Sequence, residues 1–316
     1  MKRLVLILTM LGASVSAVPA AEKIYRLGFL EPTAAAAEIT RNVMLPELAT
    51  LGFREQVNLA VDERVGDAAA FPRLAQELVL SRPDAIIAFG GSAVRAAHNA
   101  TSTIPLVTFG PDLIQMGLAT SLARPGGNVT GVVVLGVELD AKRLELLHET
   151  VPTARRMAAL VTRSPNKLTE DAMRAVAANN GIELLVFEGD GPDDYPTAFA
   201  AMQAAGAQAL AFTSTPYFNR DAALLARLAL EAGLPTICEV AESAHAGCLL
   251  GYGLDRSELR RRMAHQVARI FRGAAPGDLP IEQPTHYKFA INLKTAKVLG
   301  LTVPPLILAR ADEVIE

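Results

Sequence analysis

Gly90-Gly91-Ser92 ends the apolar run that begins at Ala85, and a helical pattern starts at once and continues through Ala97. A strand, a glycine turn and a helix N-terminus make a shape that holds anions, because backbone N–H groups and the helix dipole converge on the turn. The third glycine of G-x-G-x-x-G is missing and no Gly-Lys-Ser/Thr follows, so this is not a nucleotide fingerprint. What remains is the prospect of free N–H groups at Ala93 and Val94 beside the Ser92 hydroxyl, which suits any anion, a carboxylate included. Ser92 can equally cap its own helix, and the two uses are compatible.

Other strand ends carry further candidates. Arg163 directly follows "AALVT", where a guanidinium could pair a carboxylate bidentately or simply stand in solvent. Ser164 comes next. Thr213, Ser214 and Thr215 follow "ALAF", and Tyr217, Phe218 and Tyr252 either line a pocket or pack beneath a loop. Thr33, Phe109 and Gly110 stand at two more strand ends. Glu31, Asp112 and Glu239 could turn into a cleft, although each has a local use. Glu31 precedes Pro32, Asp112 can cap a helix from Leu113, and Glu239 can start a helix.

No catalytic set emerges. Gly-x-Ser-x-Gly and His-Glu-x-x-His are absent, and His98, His148, His245, His265 and His286 have no metal spacing. The arginine run 260–262 reads as a solvated helix face. No catalytic residue, metal or cofactor is expected.

The elements that must position these residues alternate along the chain. Apolar runs are "IYRLGFL", "AIIAFG", "PLVTFG", "VTGVVVLG", "MAALVTR", "IELLVFEG", "ALAFTST", "LPTIC" and "CLLGYG", with "NLAVDERVG" weaker. Between them, Phe71, Leu74 and Leu78 share one helix face, as do Leu144 and Leu147, and Leu259, Met263, Val267, Ile270 and Phe271. Continuous apolar strands separated by amphipathic helices predict a doubly wound α/β class with parallel sheets covered on both faces. Ligands of such sheets bind beyond the strands' carboxyl ends, where the candidate residues fall. The pattern breaks after Gly136, and a proline-rich tail follows residue 275. It reads as a surface segment that locks two lobes and ends in a short helix.

The chain has 316 residues, is 51% hydrophobic and carries a net charge of -3, which fits a globular protein without the basic footprint of nucleic-acid binding. Lys2 and Arg3, an apolar run too short to span a bilayer, and small residues around Val18-Pro19-Ala20 read as a secretory leader over residues 1–21. A location outside the cytoplasm, in the periplasm, follows. Cys238 and Cys248 lie at opposite ends of two neighbouring apolar runs, with "EVAESAHA" read as a helix between them, so two buried free thiols are expected rather than a disulfide.

"GGSAVRAAHNATSTIPLV", "SLARPGGNVTGV", "KRLELLHETVP" and the tail from Asp278 to Glu316 together resemble the ABC-transporter substrate-binding family that includes tryptophan- and tyrosine-binding members. The resemblance covers about Ile24 to Glu316. It implies a type I periplasmic binding-protein fold, with two Rossmann-like lobes joined by three hinge crossings. It also implies a small-molecule ligand closed between the lobes and an ABC permease in the inner membrane as partner, with no nucleic acid. The expected boundaries are 22–136 plus about 254–275 for lobe 1, and 137–253 plus about 276–316 for lobe 2, in a monomer.

Two departures bear on the ligand. Arg163-Ser164-Pro165 stands where many members carry Asn-Pro, and Thr215-Pro216 where many carry Asp-Pro. An added arginine and a lost aspartate shift the expected cleft toward anions and leave no obvious partner for an ammonium group, so the expected ligand is a small carboxylate, aromatic or amino-acid-like, rather than an ordinary amino acid. The competing functions are a secreted enzyme on the same fold and a binding protein that reports to a sensor receptor.

Overall fold

A computed structural model describes residues 23–110, 113–163 and 166–316. The leader expected over residues 1–21 and the candidates Asp112 and Ser164 lie outside the described residues. The first part of the chain forms β1 (Tyr25–Glu31), α1 (Ala34–Thr50), β2 (Leu59–Val65), α2 (Phe71–Leu80), β3 (Ala85–Phe89), α3 (Gly91–Ala100), β4 (Leu106–Gly110) and β5 (Val129–Val133). The next part forms α4 (Gly136–Thr150), β6 (Arg156–Val161), α5 (Lys167–Asn179), β7 (Glu183–Glu188), α6 (Tyr195–Ala204) and β8 (Ala209–Phe212). It continues through α7 (Pro216–Arg220), α8 (Ala222–Glu231), β9 (Thr236–Cys238) and β10 (Leu250–Leu254). The chain closes with α9 (Arg256–Phe271), β11 (Tyr287–Asn292), α10 (Leu293–Val298), α11 (Pro305–Leu308) and β12 (Glu313–Ile315).

The strands form two sheets. The first has the order β2-β1-β3-β4-β5, with every neighbouring pair parallel. The second has the order β12-β11-β10-β9-β8-β6-β7, in which only the β10/β11 pair is antiparallel. Every residue of β3, Ala-Ile-Ile-Ala-Phe, is buried. That is the burial a strand acquires when helices cover both faces. In α2, Phe71, Leu74 and Leu78 face inward at three and four spacing, and Pro72 sits in the first turn, where its missing N–H costs nothing. Gly131 in β5 adopts φ +145, and a Cβ there would collide with the Thr108 carbonyl, so no other residue fits.

α9 follows the second sheet's β10 in sequence but packs on the first sheet. Asp255 caps it by accepting from Ser257 N–H (2.9 Å) and Glu258 N–H (3.1 Å). Leu259, Met263 and Val267 then join Leu27, Phe29 and Met44 in one core cluster. Each fully buried side chain of this size contributes about 1.5–3 kcal/mol. The chain therefore passes between the sheets at Val134–Leu135, at Leu254–Asp255 and over residues 283–286.

Four expectations change. The tail does not leave the first lobe at about residue 276. Leu279 and Ile281 pack into first-sheet cores, and Glu282 pairs with the backbone of β5. Further on, the tail adds β11 and β12 to the second sheet and ends as a strand; the short helix after the prolines is α11. "EVAESAHA" is a 3-10 turn over Ala241–Ala244 rather than a helix. Because β9 is only three residues long and that turn is tight, the two cysteines approach to 6.3 Å between Cα atoms and form a disulfide. They are not free thiols.

Candidate functional site

A cleft of about 860 Å³ opens between the carboxyl ends of the two sheets. On the first-lobe wall, Pro32 follows β1, and the lining continues from Phe89, the last residue of β3, through Ala93 in the first turn of α3. Gly90 takes φ +87 at the helix N-cap, and its carbonyl accepts from Val94 N–H at 3.0 Å. The groups left ahead of the first intrahelical bond are therefore the N–H groups of Gly91, Ser92 and Ala93, not those of Ala93 and Val94. Ser92 lies inside the first turn with its side chain exposed and does not cap the helix. Gly110 backs this turn, and Phe109, half-buried, packs on Phe89 with ring centroids 6.0 Å apart. Neither residue is part of the lining.

Glu31 and Thr33 stand behind the wall. Thr33 caps α1 by accepting from Ala36 N–H at 3.1 Å. Glu31 is fully buried; Oε1 accepts from Thr40 Oγ1 at 2.6 Å, and Oε2 has no partner among the described residues. Burial pushes its carboxyl up to about 7. Thr40 Oγ1 also accepts from Arg260 Nε at 3.0 Å, and the guanidinium lies 4.9 Å from the Phe89 ring centroid. Arg260 is thus buried against α1, not on a solvated helix face, and burial lowers its pKa to about 10. Arg261 and Arg262 do pair outward, with Glu258.

The second-lobe wall is organised by Arg143, a fully buried arginine on α4. Its Nε donates to the Tyr252 carbonyl (2.7 Å), Nη2 to the Glu239 carbonyl (2.9 Å), and Nη1 to Asp140 Oδ1 (2.6 Å) and Ser214 Oγ (2.8 Å). Asp140 Oδ1 also accepts from Ser214 N–H at 3.1 Å and from its hydroxyl at 2.9 Å. Glu239 Oε2 accepts from Thr215 N–H at 3.2 Å and from Asn219 Nδ2. Burial pushes both carboxyls up, and Arg143 opposes the shift. One side chain so ties together the loops after β8 and β9 and the end of β10.

Of the candidates on this side, Thr213, Ser214, Thr215 and Tyr217 line the cleft. Phe218 instead packs in the core beside Phe212 and Tyr195. The Tyr252 ring stacks on Tyr287 at 5.8 Å, away from the lining. Arg163 is turned along the rim. Its N–H donates to Asp190 Oδ1 at 2.9 Å and its Nη2 to Asp194 Oδ1 at 2.5 Å, and its side chain is 60% exposed.

The charge of the lining is therefore acidic rather than basic. Among the described lining residues stand Asp67, Asp140, Glu170 and Asp190, against the single guanidinium of Arg220, itself bound to Asp221. Although Thr215 carries no charge, a carboxylate still reaches its loop, from Asp140 on α4. Asp67 escaped notice because its strand is the weakest of the apolar runs. Asp140 and Arg143 offered only a three-residue helical spacing, which suits an ion pair but does not announce burial. No group of three or more His, Cys, Asp or Glu side chains able to hold a metal ion occurs among the described residues.

A curated tyrosine-binding protein of Clostridioides difficile is 25% identical over 255 residues, 79% of this chain and 73% of that protein. A conserved domain protein from Vibrio cholerae superposes with TM-score 0.85 at 24% identity, covering 92% of this chain and all of that one. A domain from Streptococcus pneumonia solved in complex with L-Trp gives TM-score 0.84 at 21% identity over 93% of this chain and all of that one. These two structures establish the likeness of fold: two parallel-dominated sheets of the periplasmic binding-protein type. The family model described as ABC transporter substrate binding protein matches residues 35–315. The chain belongs to that family.

Proposed function

We propose that the protein is an extracytoplasmic solute-binding component of an ABC importer, without catalytic activity. It closes two lobes around a small carboxylate-bearing ligand, aromatic or amino-acid-like, and delivers it to a membrane permease. The observation that carries this reading is the cleft of about 860 Å³ walled by strand ends of both sheets. A ligand that touches both walls favours the closed arrangement by its differential affinity. The N–H groups of Gly91, Ser92 and Ala93 supply the carboxylate's place on the first lobe. Phe71, Phe89 and Tyr217 supply apolar faces around it. The tyrosine-binding relative and the L-Trp complex support an aromatic amino-acid-like ligand. The leader over residues 1–21 supports export to the periplasm.

The test is calorimetric titration of the purified mature chain with L-amino acids and simple carboxylic acids, followed by scattering and recovery of the ligand. A true ligand at about a hundred times its dissociation constant stabilises the fold by about 3 kcal/mol. It also contracts the scattering radius and is recovered chemically intact. Tight binding with no contraction, or conversion of the ligand, overturns the reading.

A further inference from the structure

At the Thr213–Thr215 loop several donors that face the cleft are already spent within the protein. Thr213 Oγ1 gives its proton to the Leu160 carbonyl at 3.1 Å. Ser214 gives both its N–H and its hydroxyl proton to Asp140 Oδ1, and Thr215 gives its N–H to Glu239. What remains at Ser214 and Asp140 is acceptor capacity. Among the described residues Asp140 Oδ2 has only a 3.3 Å bond from Ser214 N–H, and Ser214 Oγ keeps a lone pair after accepting from Arg143.

The charge balance points the same way. The Arg143 side chain is 1% exposed and that of Asp140 3%. This enclosed guanidinium pairs with one carboxylate, that of Asp140, and meets Glu239 at its backbone carbonyl, while the Glu239 carboxylate accepts from Thr215 N–H and Asn219. Around the cleft the described lining carries Asp67, Asp140, Glu170 and Asp190 against the guanidinium of Arg220, so its surplus charge is negative. Burial raises the pKa of both carboxyls, so a cation brought beside either would favour its ionised form.

We propose that Asp140 is the cation-recognising residue of the cleft, receiving a ligand ammonium on Oδ2 beside Ser214 Oγ, with Arg143 as the positioning residue that fixes the carboxylate. This rests on the reading of the cleft as the ligand site. With a carboxylate held at the N-terminus of α3 on the opposite wall, the ligand is a zwitterion lying across the cleft, cationic end on the second lobe. Simple carboxylates satisfy only the first wall.

The experiment compares each L-amino acid with the carboxylic acid in which hydrogen replaces its α-amino group, by calorimetry on the full mature chain. The wild type should prefer the amino acid by about tenfold or more, the usual loss when a buried charged hydrogen bond goes unmade. In Asp140→Asn that ratio should collapse toward unity. Should Asp140→Asn fail to fold, Ser214→Ala serves in its place and should lower the ratio. Equal binding of the two compounds by the wild type overturns the proposal. So does a ratio that survives Asp140→Asn or Ser214→Ala, or one that is lost in Glu239→Gln instead. Binding of neither compound class sinks the ligand reading of the cleft and this proposal with it. Binding of carboxylic acids without preference sinks the proposal alone.

Discussion

Thr40 Oγ1 donates to Glu31 Oε1 at 2.6 Å, and it is the only polar group that meets this buried carboxylate among the described residues. Burial raises Glu31 from its ordinary 4.5 to about 7, so the folded chain holds this proton more tightly than the unfolded one. Stability from this group is therefore greatest below pH 4.5 and falls as pH rises toward about 7. Glu31→Gln should remove that slope and leave the variant more stable than wild type at pH 8, by up to about 3 kcal/mol. Urea midpoints from pH 4 to 8 check it; parallel curves for the two proteins contradict it.

Arg163→Ala should change ligand affinity by less than about twofold, and stability by no more than about 1 kcal/mol. Its guanidinium is 60% exposed and already paired with Asp194. Titration of wild type and variant with whichever compound binds decides the matter. A loss of tenfold or more would put Arg163 in contact with the ligand.

Arg143→Met should cost about 3–5 kcal/mol, because it strands Asp140 as a buried charge without its ion-pair partner and leaves the Glu239 and Tyr252 carbonyls without their donor. The loss should shrink as pH falls, since the Asp140 carboxyl can then take up a proton. Chemical denaturation at pH 7 and pH 5 reads this directly, and a pH-independent loss would mean that packing rather than charge dominates.

Reducing the Cys238–Cys248 disulfide, or replacing both residues by Ser, should cost about 2–3 kcal/mol, as expected for a loop with a sequence separation of 10. Thermal melts with and without reductant measure it. Labelling of free thiols in the native, oxidised chain should give none.

The fold was legible because its signals are local. Ala85–Phe89 is apolar throughout and must be covered on both faces, and the face of Leu259, Met263 and Val267 reads from spacing alone. The site was half legible: Gly90, Gly91, Ser92 and Thr213 through Thr215 stand where strand ends must converge. Direction was not legible. Nothing in "LVTRSP" says that Arg163 turns toward Asp194, thirty-one residues on. Nothing in "LDAKR" says that Arg143 is enclosed, since its acceptors on Ser214, Glu239 and Tyr252 come from distant strand ends. The cysteine pairing depended on whether eight residues coil as a helix or a tight turn, a choice made by tertiary packing.

The short pairing of Glu282 with β5 also bears on solubility. An open sheet ends in strands whose unpaired backbone groups can template the addition of another chain. At one border of the first sheet, Glu282 accepts from Val133 N–H at 3.0 Å and donates to the Gly131 carbonyl at 2.9 Å. Pro280 and Pro284 flank it and have no N–H with which to lengthen the ladder. At the opposite border, β2 carries Asp62, Glu63 and Arg64. One border is thus plugged by a segment too short to recruit a neighbour, and the other is guarded by charge, so this sheet has little opportunity to stack edge to edge with a second molecule when the protein is concentrated.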